Sequence, residues 1–292
     1  MRLTPDGDNQ DVEDRRDESG GGSGFGGFGG GGGFGGIHLG IGGTIVLLIL
    51  SFVFKTNLFS LFSGGGGEAP THSVSTAPDP ARNASEQPEV QFVRDVLRDV
   101  QRTWDKLLPQ AGGTYRHAKL VLYRDAYPSG CGTAQTATGP FYCPEDEKVY
   151  LDMAFFDELR QRFGAPGEFA QAYVIAHEIG HHVQKILGIE GKMRQMEERN
   201  PGDRNRLSVG LELQADCFAG VWGNAGEKRN VVDQSDVPAG LRAAAAVGDD
   251  RLQKMATGHV SPESFTHGSS AHRVEAFRRG LDSGNPSVCI GN

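Results

Sequence analysis

Residues 176–184 read AHEIGHHVQ, and within them His177, Glu178 and His181 match the pattern His-Glu-x-x-His. Four residues along an α-helix return to the same face, so the two imidazoles converge where nitrogens at about 2.0 to 2.1 Å can bind zinc. Glu178 lies about 100° round the helix, which keeps it off the ion but near a water molecule bound there. The spacing therefore predicts a zinc site with Glu178 as the general base.

The residues around this motif favour a buried helix over a solvated one. Apolar side chains recur beside the two histidines at helical spacing: Val174, Ile175, Ile179, Val183 and Ile186. A chance match to the pattern lies most often on an exposed helix face, where the polar groups need no partner. Because burying such groups unpaired is costly, the apolar surroundings favour a metal site. Adjacent helical residues diverge, and we therefore interpret His182, beside His181, as a structural or surface residue.

A third ligand must come from another part of the chain, because catalytic zinc takes three protein ligands and keeps one position open. Glu212 is the best candidate, in the apolar helical stretch LELQADCFAGVW of residues 211–222. Asp216 follows one turn later on the same face, where a carboxylate accepts the free ring N–H of a zinc-bound histidine. We assign that role to Asp216, towards His177. The alternative, an exposed acidic pair, fits poorly with the apolar neighbours of both carboxylates.

Outside these two stretches, the hydrophobic pattern predicts an α+β domain that is mainly helical and has a small sheet. The predicted helices cover residues 89–108, 153–163, 168–187, 207–222, 241–257 and 270–280. The predicted strands cover Lys119–Tyr123 (KLVLY) and Lys148–Asp152 (KVYLD). The second strand either forms a sheet edge that binds a peptide by strand addition or lies buried inside the sheet.

The N-terminal part of the chain has a composition unlike that of a folded domain. Residues 1–36 include a Gly-rich stretch with interspersed Phe and are predicted to form a disordered tail. The uncharged run IHLGIGGTIVLLILSFVF over residues 37–54 predicts a transmembrane helix within an anchor region of residues 37–62. The alternatives are a buried core helix and a cleaved signal sequence. Residues 63–88 are typical of a flexible linker, which leaves residues 89–292 for the folded domain.

Charge and cysteine usage limit the partners and the compartment. The net charge is −8 and the Lys and Arg residues are scattered, which disfavours nucleic-acid binding. The four cysteines suggest two disulfides, Cys131 with Cys143 and Cys217 with Cys289, but three connectivities are possible and Cys217 is alternatively a small core residue. Disulfides suit an oxidising compartment, so we expect a single-pass membrane protein with a cytoplasmic N-terminus and an extracytoplasmic catalytic domain.

These segments resemble a family of bacterial neutral zinc metallopeptidases, which are single-span proteins with similar HEIGHHVQ and ELQADCFAG segments. The resemblance covers most of residues 90–280, including CGTAQTATGPFYCPEDEKVYLD. It implies a zincin-like fold of the gluzincin type and zinc as the cofactor. It also implies that His177, His181 and Glu212 are the zinc ligands and that Glu178 is catalytic.

A second resemblance concerns the segment THGSSAHRVEAF of residues 266–277. It is similar to the THP-containing segment of the membrane-associated gluzincins, which include the bacterial heat-shock membrane proteases and the CAAX prenyl proteases. His267 and Arg273 keep the spacing, whereas Gly268 replaces the Pro. The resemblance implies that His267 donates a hydrogen bond to the oxyanion of the scissile carbonyl and that Arg273 holds nearby carboxylates. The alternative for His267 is a helix cap or a surface group.

The sequence thus predicts a zinc-dependent endopeptidase that acts on a peptide or protein substrate. In such an enzyme zinc polarises the carbonyl and lowers the pKa of its bound water, whose proton Glu178 takes. One alternative is a catalytically silent, membrane-tethered zinc-binding protein of a chaperone-like kind. It is disfavoured because structural zinc sites usually have four ligands rich in cysteine. Another alternative assigns the function to self-association of the Gly/Phe-rich N-terminus.

Overall fold

A computed structural model of the chain describes residues 1–4, 7–18, 79–135 and 139–290. The described helices are α1 (Pro80–Leu107), α2 (Ala154–Gln161), α3 (Glu168–Ile186), α4 (Ile189–Arg199), α5 (Arg204–Lys228), α6 (Val237–Ala246), α7 (Asp249–Thr257) and α8 (Ser270–Ser283). The described strands are β1 (Val12–Asp14), β2 (Lys119–Tyr123), β3 (Ala126–Ser129), β4 (Gly132–Gln135), β5 (Phe141–Cys143) and β6 (Lys148–Asp152). The predicted α+β class with mainly helical content is confirmed for these residues.

The larger sheet has the strand order β1-β2-β6-β5. Strands β1, β2 and β6 run parallel, whereas β5 pairs with β6 in the antiparallel sense. Strand β6 therefore has a partner on each side, which confirms the interior alternative for residues 148–152 and leaves β5 outermost on that side of the described sheet. Strands β3 and β4 form a separate antiparallel hairpin.

The two faces of the larger sheet bury different sets of side chains, because alternate residues of a strand point in opposite directions. One face contributes Leu120, Leu122, Val149 and Leu151 to the main core, which it shares with the helices. The other face contributes Val121, Tyr123 and Tyr150 to a smaller cluster with Ala134 of the hairpin. The zinc-motif helix α3 lies in the main core, where Ile175, Ile179 and Val183 are buried.

Helices α5 and α8 approach each other until their backbones are in contact. A Cβ atom at Gly220 would collide with the carbonyl oxygen of Phe277, and one at Gly280 would collide with that of Cys217. Glycine at both positions therefore permits the close packing of α8 on α5. This packing brings a residue of α8, Arg273, to the helix that carries Glu212 and Asp216.

The predicted helix over residues 241–257 is wrong in one respect, because the structure has two helices there. Helix α6 ends at Ala246 and α7 begins at Asp249. Gly248, between them, packs so closely against Ser270 that a Cβ atom would collide with its backbone. The turn directs Asp249 towards the loop before α8, where its carboxylate accepts the backbone N–H of His267 at 2.6 Å.

The structure also differs from the prediction at the linker, which we placed over residues 63–88. Helix α1 begins at Pro80, nine residues before the predicted start of the domain. Asp79 caps it by accepting a hydrogen bond from the backbone N–H of Arg82 at 3.0 Å, and proline at the first helical position suits the fixed backbone angle. Pro88 lies inside the helix instead of ending the linker.

The predicted disordered tail over residues 1–36 does not hold for its first half. Strand β1 extends the sheet beside β2, and Val12 is buried in the main core. The hydrophobic pattern did not predict β1, because a strand of three residues is too short to show a period. The Gly-rich remainder of the tail lies outside the described residues.

The predicted transmembrane helix over residues 37–54 and the anchor region over residues 37–62 also lie outside the described residues. Among the helices that the structure describes, none combines the length and apolarity that a membrane span needs.

Both predicted disulfides are confirmed. Cys131 is bonded to Cys143 and Cys217 is bonded to Cys289. The first bond ties the hairpin end of β3 and β4 to β5. The second ties the C-terminal segment to α5, one residue after Asp216.

Candidate metal centre

His177, His181 and Glu212 lie together, as the sequence predicted for a zinc site. Nε2 of His177 is 3.3 Å from one carboxylate oxygen of Glu212, and Nε2 of His181 is 3.4 Å from the other. The three ligand atoms lie within 4.8 Å of one another. Donor atoms about 2.0 to 2.2 Å from a tetrahedral ion are themselves about 3.3 to 3.5 Å apart, so this donor set fits zinc.

The site forms where α3 and α5 cross. His177 and His181 are one turn apart on α3, with ring centroids 4.8 Å apart and planes at 90°. Gly180, inside the motif, lets α5 come close, since a Cβ atom there would lie 2.9 Å from the carbonyl oxygen of Ala215. The small residue between the histidines thus allows Glu212 to reach both of them.

Hydrogen bonds from the neighbouring side chains orient both histidines. Nδ1 of His177 is 2.9 Å from a carboxylate oxygen of Asp216, as the sequence predicted, so the ring donates there and presents Nε2 to the site. Nδ1 of His181 is 2.9 Å from Oε1 of Gln184, which leaves its Nε2 facing the site in the same way. Gln184 donates in turn to the carbonyl oxygen of Leu211 at 2.7 Å, which joins α3 to α5.

Sequence reasoning did not identify Gln184, although it ends the quoted motif AHEIGHHVQ. A signal was present, because a residue three positions after His181 lies on the same helix face. Sequence reasoning likewise missed Tyr173, one turn before His177, whose hydroxyl donates to Asp216. Gln184 bonds to Nδ1 of His181, and Tyr173 bonds to the fully buried carboxylate of Asp216.

Arg273 holds the fully buried carboxylate of Asp216. Its Nε donates to one oxygen at 2.8 Å and its Nη2 donates to the other at 3.0 Å. The same Nη2 is 3.7 Å from Glu212. The structure therefore places Arg273 beside the carboxylates, as the resemblance implied.

The buried charges of the centre balance one another. Burial raises the pKa of Asp216, but the Arg273 guanidinium and His177 together hold that pKa below its usual value. Burial also raises the pKa of Glu212, but the two imidazoles hold it well below its usual range. For His177, burial lowers the pKa, but the Asp216 carboxylate raises it to about 10. Without an ion, His177 therefore carries a proton that a bound cation must replace.

Glu178 differs from the other two carboxylates of the centre. Its side chain is buried, and it accepts no hydrogen bond from the part of the chain that the structure describes. Burial raises its pKa above the usual value, although the neighbouring histidines oppose the shift. A carboxylate with a raised pKa and free oxygens is suited to accept a proton near neutral pH.

His267 lies in the loop before α8, about a third exposed, and it is oriented by Asp249. Nδ1 of His267 is 3.2 Å from one oxygen of Asp249. The other oxygen accepts the backbone N–H groups of Thr266, His267 and Gly268 at 2.7, 2.6 and 2.9 Å. Burial lowers the pKa of His267, but Asp249, followed by Glu212, raises it above its usual value. Asp249 was missed by sequence reasoning.

The backbone of this loop explains why Gly268 stands where the resembling families have Pro. Its φ of +91° is open to glycine, whereas the proline ring fixes φ near −65°. A Cβ atom there would lie 3.4 Å from Leu213, the neighbour of Glu212, so the loop packs on α5. Ser269 caps α8 by accepting from the backbone N–H of His272. The helix-cap alternative for His267 is therefore wrong.

His182 takes no part in the cluster. It is fully buried, with Nδ1 2.9 Å from the hydroxyl of Tyr142 and Nε2 2.7 Å from the carbonyl oxygen of Arg116. These bonds fix the ring as an acceptor at Nδ1 and a donor at Nε2, and burial lowers its pKa. His182 therefore joins α3 to β5, which is the structural alternative of the prediction.

Comparison with known proteins agrees with this geometry. The family model described as "Putative neutral zinc metallopeptidase" matches residues 1–291. The chain is 43% identical over 294 residues to "Uncharacterized protein YpfJ" of Escherichia coli (strain K12), which covers 99% of this chain and 98% of that protein. It is 42% identical over 201 residues to "Uncharacterized protein Rv2575" of Mycobacterium tuberculosis (strain ATCC 25618 / H37Rv), which covers 65% of this chain and 66% of that protein. No solved structure matches the chain.

Proposed function

Because the chain belongs to the neutral zinc metallopeptidase family, we propose that it is a zinc-dependent endopeptidase that hydrolyses peptide bonds in a peptide or protein substrate. The observation that carries the proposal is the convergence of His177, His181 and Glu212. The carboxylate of Glu178 lies near enough for their charges to shift its pKa. A zinc ion held by these three ligands would polarise the scissile carbonyl and acidify the attacking water.

Glu178 acts as the general base and then as the general acid. Its buried carboxylate takes a proton from the water that attacks the carbonyl carbon, and it delivers that proton to the leaving amine nitrogen. The raised pKa of Glu178 brings it closer to the working pH, which favours both transfers. The net reaction consumes one water and leaves a new carboxylate and a new amine.

His267 stabilises the negative charge that develops on the carbonyl oxygen. Asp249 accepts the hydrogen bond of Nδ1 and raises the pKa of the ring, which favours the protonated ring whose Nε2–H would donate to the oxyanion. Arg273 does not contact the substrate in this scheme. It neutralises Asp216, which in turn orients His177.

The alternative of a silent zinc-binding protein is less well supported. A structural zinc site usually has four protein ligands, whereas the described residues bring three to this centre. A structural site would also have no use for a further carboxylate beside the three ligands. Glu178 is such a carboxylate, its pKa is raised by burial, and peptide hydrolysis gives it a role.

The test measures metal content and proteolysis on the same full-length preparation. Zinc per chain is determined by elemental mass spectrometry, and cleavage of casein and of a mixed peptide library is followed with and without a chelator. We expect about one zinc per chain, and cleavage that the chelator stops and added zinc restores.

The control variant is Glu178→Gln, which keeps the shape of the side chain and removes its basicity. We expect unchanged zinc content and a rate lower by about 10² to 10⁴-fold. Cleavage by this variant at the wild-type rate would falsify the proposal. Stoichiometric zinc without any cleavage by the wild-type protein would favour the silent zinc-binding alternative.

A further inference from the structure

The N-terminal segment, residues 1–18, is joined to the metallopeptidase domain by the sheet itself. We infer that this segment is part of the domain and that the two lie on the same side of any membrane to which the chain is attached. The inference rests on contacts between residues before and after the stretch 19–78, and it is independent of the proposed catalytic activity.

The first set of contacts is backbone pairing. Strand β1 runs parallel to β2, with Val12 opposite Leu120 and Asp14 opposite Leu122. The backbone N–H of Leu120 donates to the carbonyl oxygen of Asp11 at 2.8 Å, and that of Arg15 donates to Leu122 at 2.8 Å. These bonds satisfy backbone groups of β2 that would otherwise form an open sheet edge.

The second set is a cluster of buried charges shared by both sides of the stretch. Arg16 is only 4% exposed, and it donates to Asp14 and to Glu86 at 2.8 and 2.9 Å. Arg124 donates to the same oxygen of Glu86 at 2.6 Å and to the carbonyl oxygen of Arg16 at 3.0 Å. A buried guanidinium needs such partners, so the cluster fixes the N-terminal segment against the start of α1.

The third set consists of side-chain contacts from the segment to the strands and to α1. Glu13 accepts from Lys148 of β6 at 2.8 Å, and Asp11 accepts from Lys119 of β2 at 2.8 Å. Asn9 donates to the carbonyl oxygen of Arg94 on α1 at 3.0 Å. The segment therefore contacts two strands and one helix of the domain, and the family model includes it, since the match begins at residue 1.

These contacts constrain the topology of the chain. The bonded atoms are about 3 Å apart, whereas the hydrocarbon core of a bilayer is about 30 Å thick. A segment on the other side of a membrane cannot pair with β2. The expected arrangement, with a cytoplasmic N-terminus and an extracytoplasmic domain, is therefore incompatible with strand β1.

The test determines the side of each segment in the full-length chain. Single cysteines are introduced separately, as Asp8→Cys in the N-terminal segment and Met255→Cys in α7, where the side chains are 78% and 47% exposed. Intact cells are treated with a membrane-impermeant maleimide before and after permeabilisation. The parent chain, whose four cysteines form disulfides, gives the background.

We expect both introduced cysteines to react in the same condition, either before permeabilisation or only after it. Reaction of one before and the other only after permeabilisation would overturn the inference. Both positions are exposed. Asp8→Cys removes one ion pair, to Arg94, but leaves the pairing of β1 with β2 and the contacts of Arg16 in place.

A zero-length carbodiimide cross-link tests the contact directly in the same membranes or extracts. We expect mass spectrometry to find Glu13 linked to Lys148, and Glu13→Gln to remove that link. The pair Lys185 and Glu190, which are 3.8 Å apart within the domain, provides the positive control. Formation of the control link without the link from Glu13 would contradict the pairing of β1.

Discussion

The candidate zinc ligands and His267 are held in place by different kinds of structure. His177, His181 and Glu212 lie on two long helices that cross at Gly180, and their spacing follows from the helix repeat. His267 lies on a loop, and the backbone there is fixed by three N–H bonds to Asp249 from another helix. The helices fix the ligands through their own hydrogen bonds, whereas the loop depends on one distant carboxylate.

This difference matches two roles, which are metal coordination by the residues on the helices and hydrogen bonding by the residue on the loop. Residues on packed helices keep their distances within a narrow range, which a coordination site requires. A residue on a loop is held less tightly, and a hydrogen bond to a developing charge needs only to form in the transition state. We therefore expect substitutions of the three candidate ligands on the helices to change metal binding, and substitutions in the loop to change turnover alone.

The largest effect is expected from Glu212→Gln in the helical part. The variant loses the negative charge that the two imidazoles stabilise, so zinc content should fall to background and proteolysis should stop. Elemental analysis and a casein assay measure both. Glu198→Gln on the exposed surface of α4 is the matched control and should change neither. Full zinc content in Glu212→Gln would refute its role as a ligand.

A smaller effect is expected from His267→Asn in the loop part. Loss of one oxyanion donor should lower kcat by about 10² to 10³-fold, while zinc content stays at the wild-type level. His272→Asn, on the exposed side of α8, is the matched control. Asp249→Asn should add little to His267→Asn in the double variant, because Asp249 acts through His267. If the losses of kcat in the two single variants multiply in the double variant, Asp249 does not act through His267.

The next effect concerns the orientation of His181 by Gln184. Gln184→Ala removes the acceptor of Nδ1, and zinc affinity should fall by about 10 to 100-fold. Competition with a fluorescent zinc chelator measures the affinity. Gln171→Ala, a buried glutamine of the same helix that bonds to Glu89, should leave it unchanged. If Gln184→Ala and Gln171→Ala lose zinc affinity equally, the loss comes from a less stable helix and not from the orientation of His181.

The last effect concerns pH. Because the Asp216 carboxylate raises the pKa of His177 to about 10, zinc displaces a proton even at pH 8, and affinity should rise about tenfold per pH unit between 7 and 9. Calorimetry in buffers of different ionisation enthalpy counts the protons released. Asp216→Asn should release about one proton fewer, whereas the same count in both proteins would contradict the raised pKa.

The sequence predicted some of the site residues on the helices and not others. The zinc-motif helix was placed over 168–187 and is Glu168–Ile186, because apolar residues with helical period mark both its face and its length. Glu212 and Asp216 followed from the same reasoning. Tyr173 and Gln184 had a signal in their spacing, but polar or aromatic residues one turn from a ligand occur in most helices.

Asp249 could not be found in this way. Alanines and apolar residues continue the helical pattern through residues 241–257, so Asp249 looked like a residue inside one helix. The break at Gly248 arises because α8 packs there and leaves no room for a side chain. Strand β1 could not be predicted from sequence for a similar reason, since its three residues become a strand only beside β2.

The sequence by itself determined which face of the motif helix carries His177 and His181, and which later helix supplies a carboxylate. Those features depend on the helix repeat and on the cost of burying polar groups, both of which are local in the chain. Only the tertiary structure decided that Asp249 orients His267 and that the first residues pair with β2. Both contacts join positions far apart in sequence, and the packing of whole helices and strands, which no local pattern encodes, brings them together.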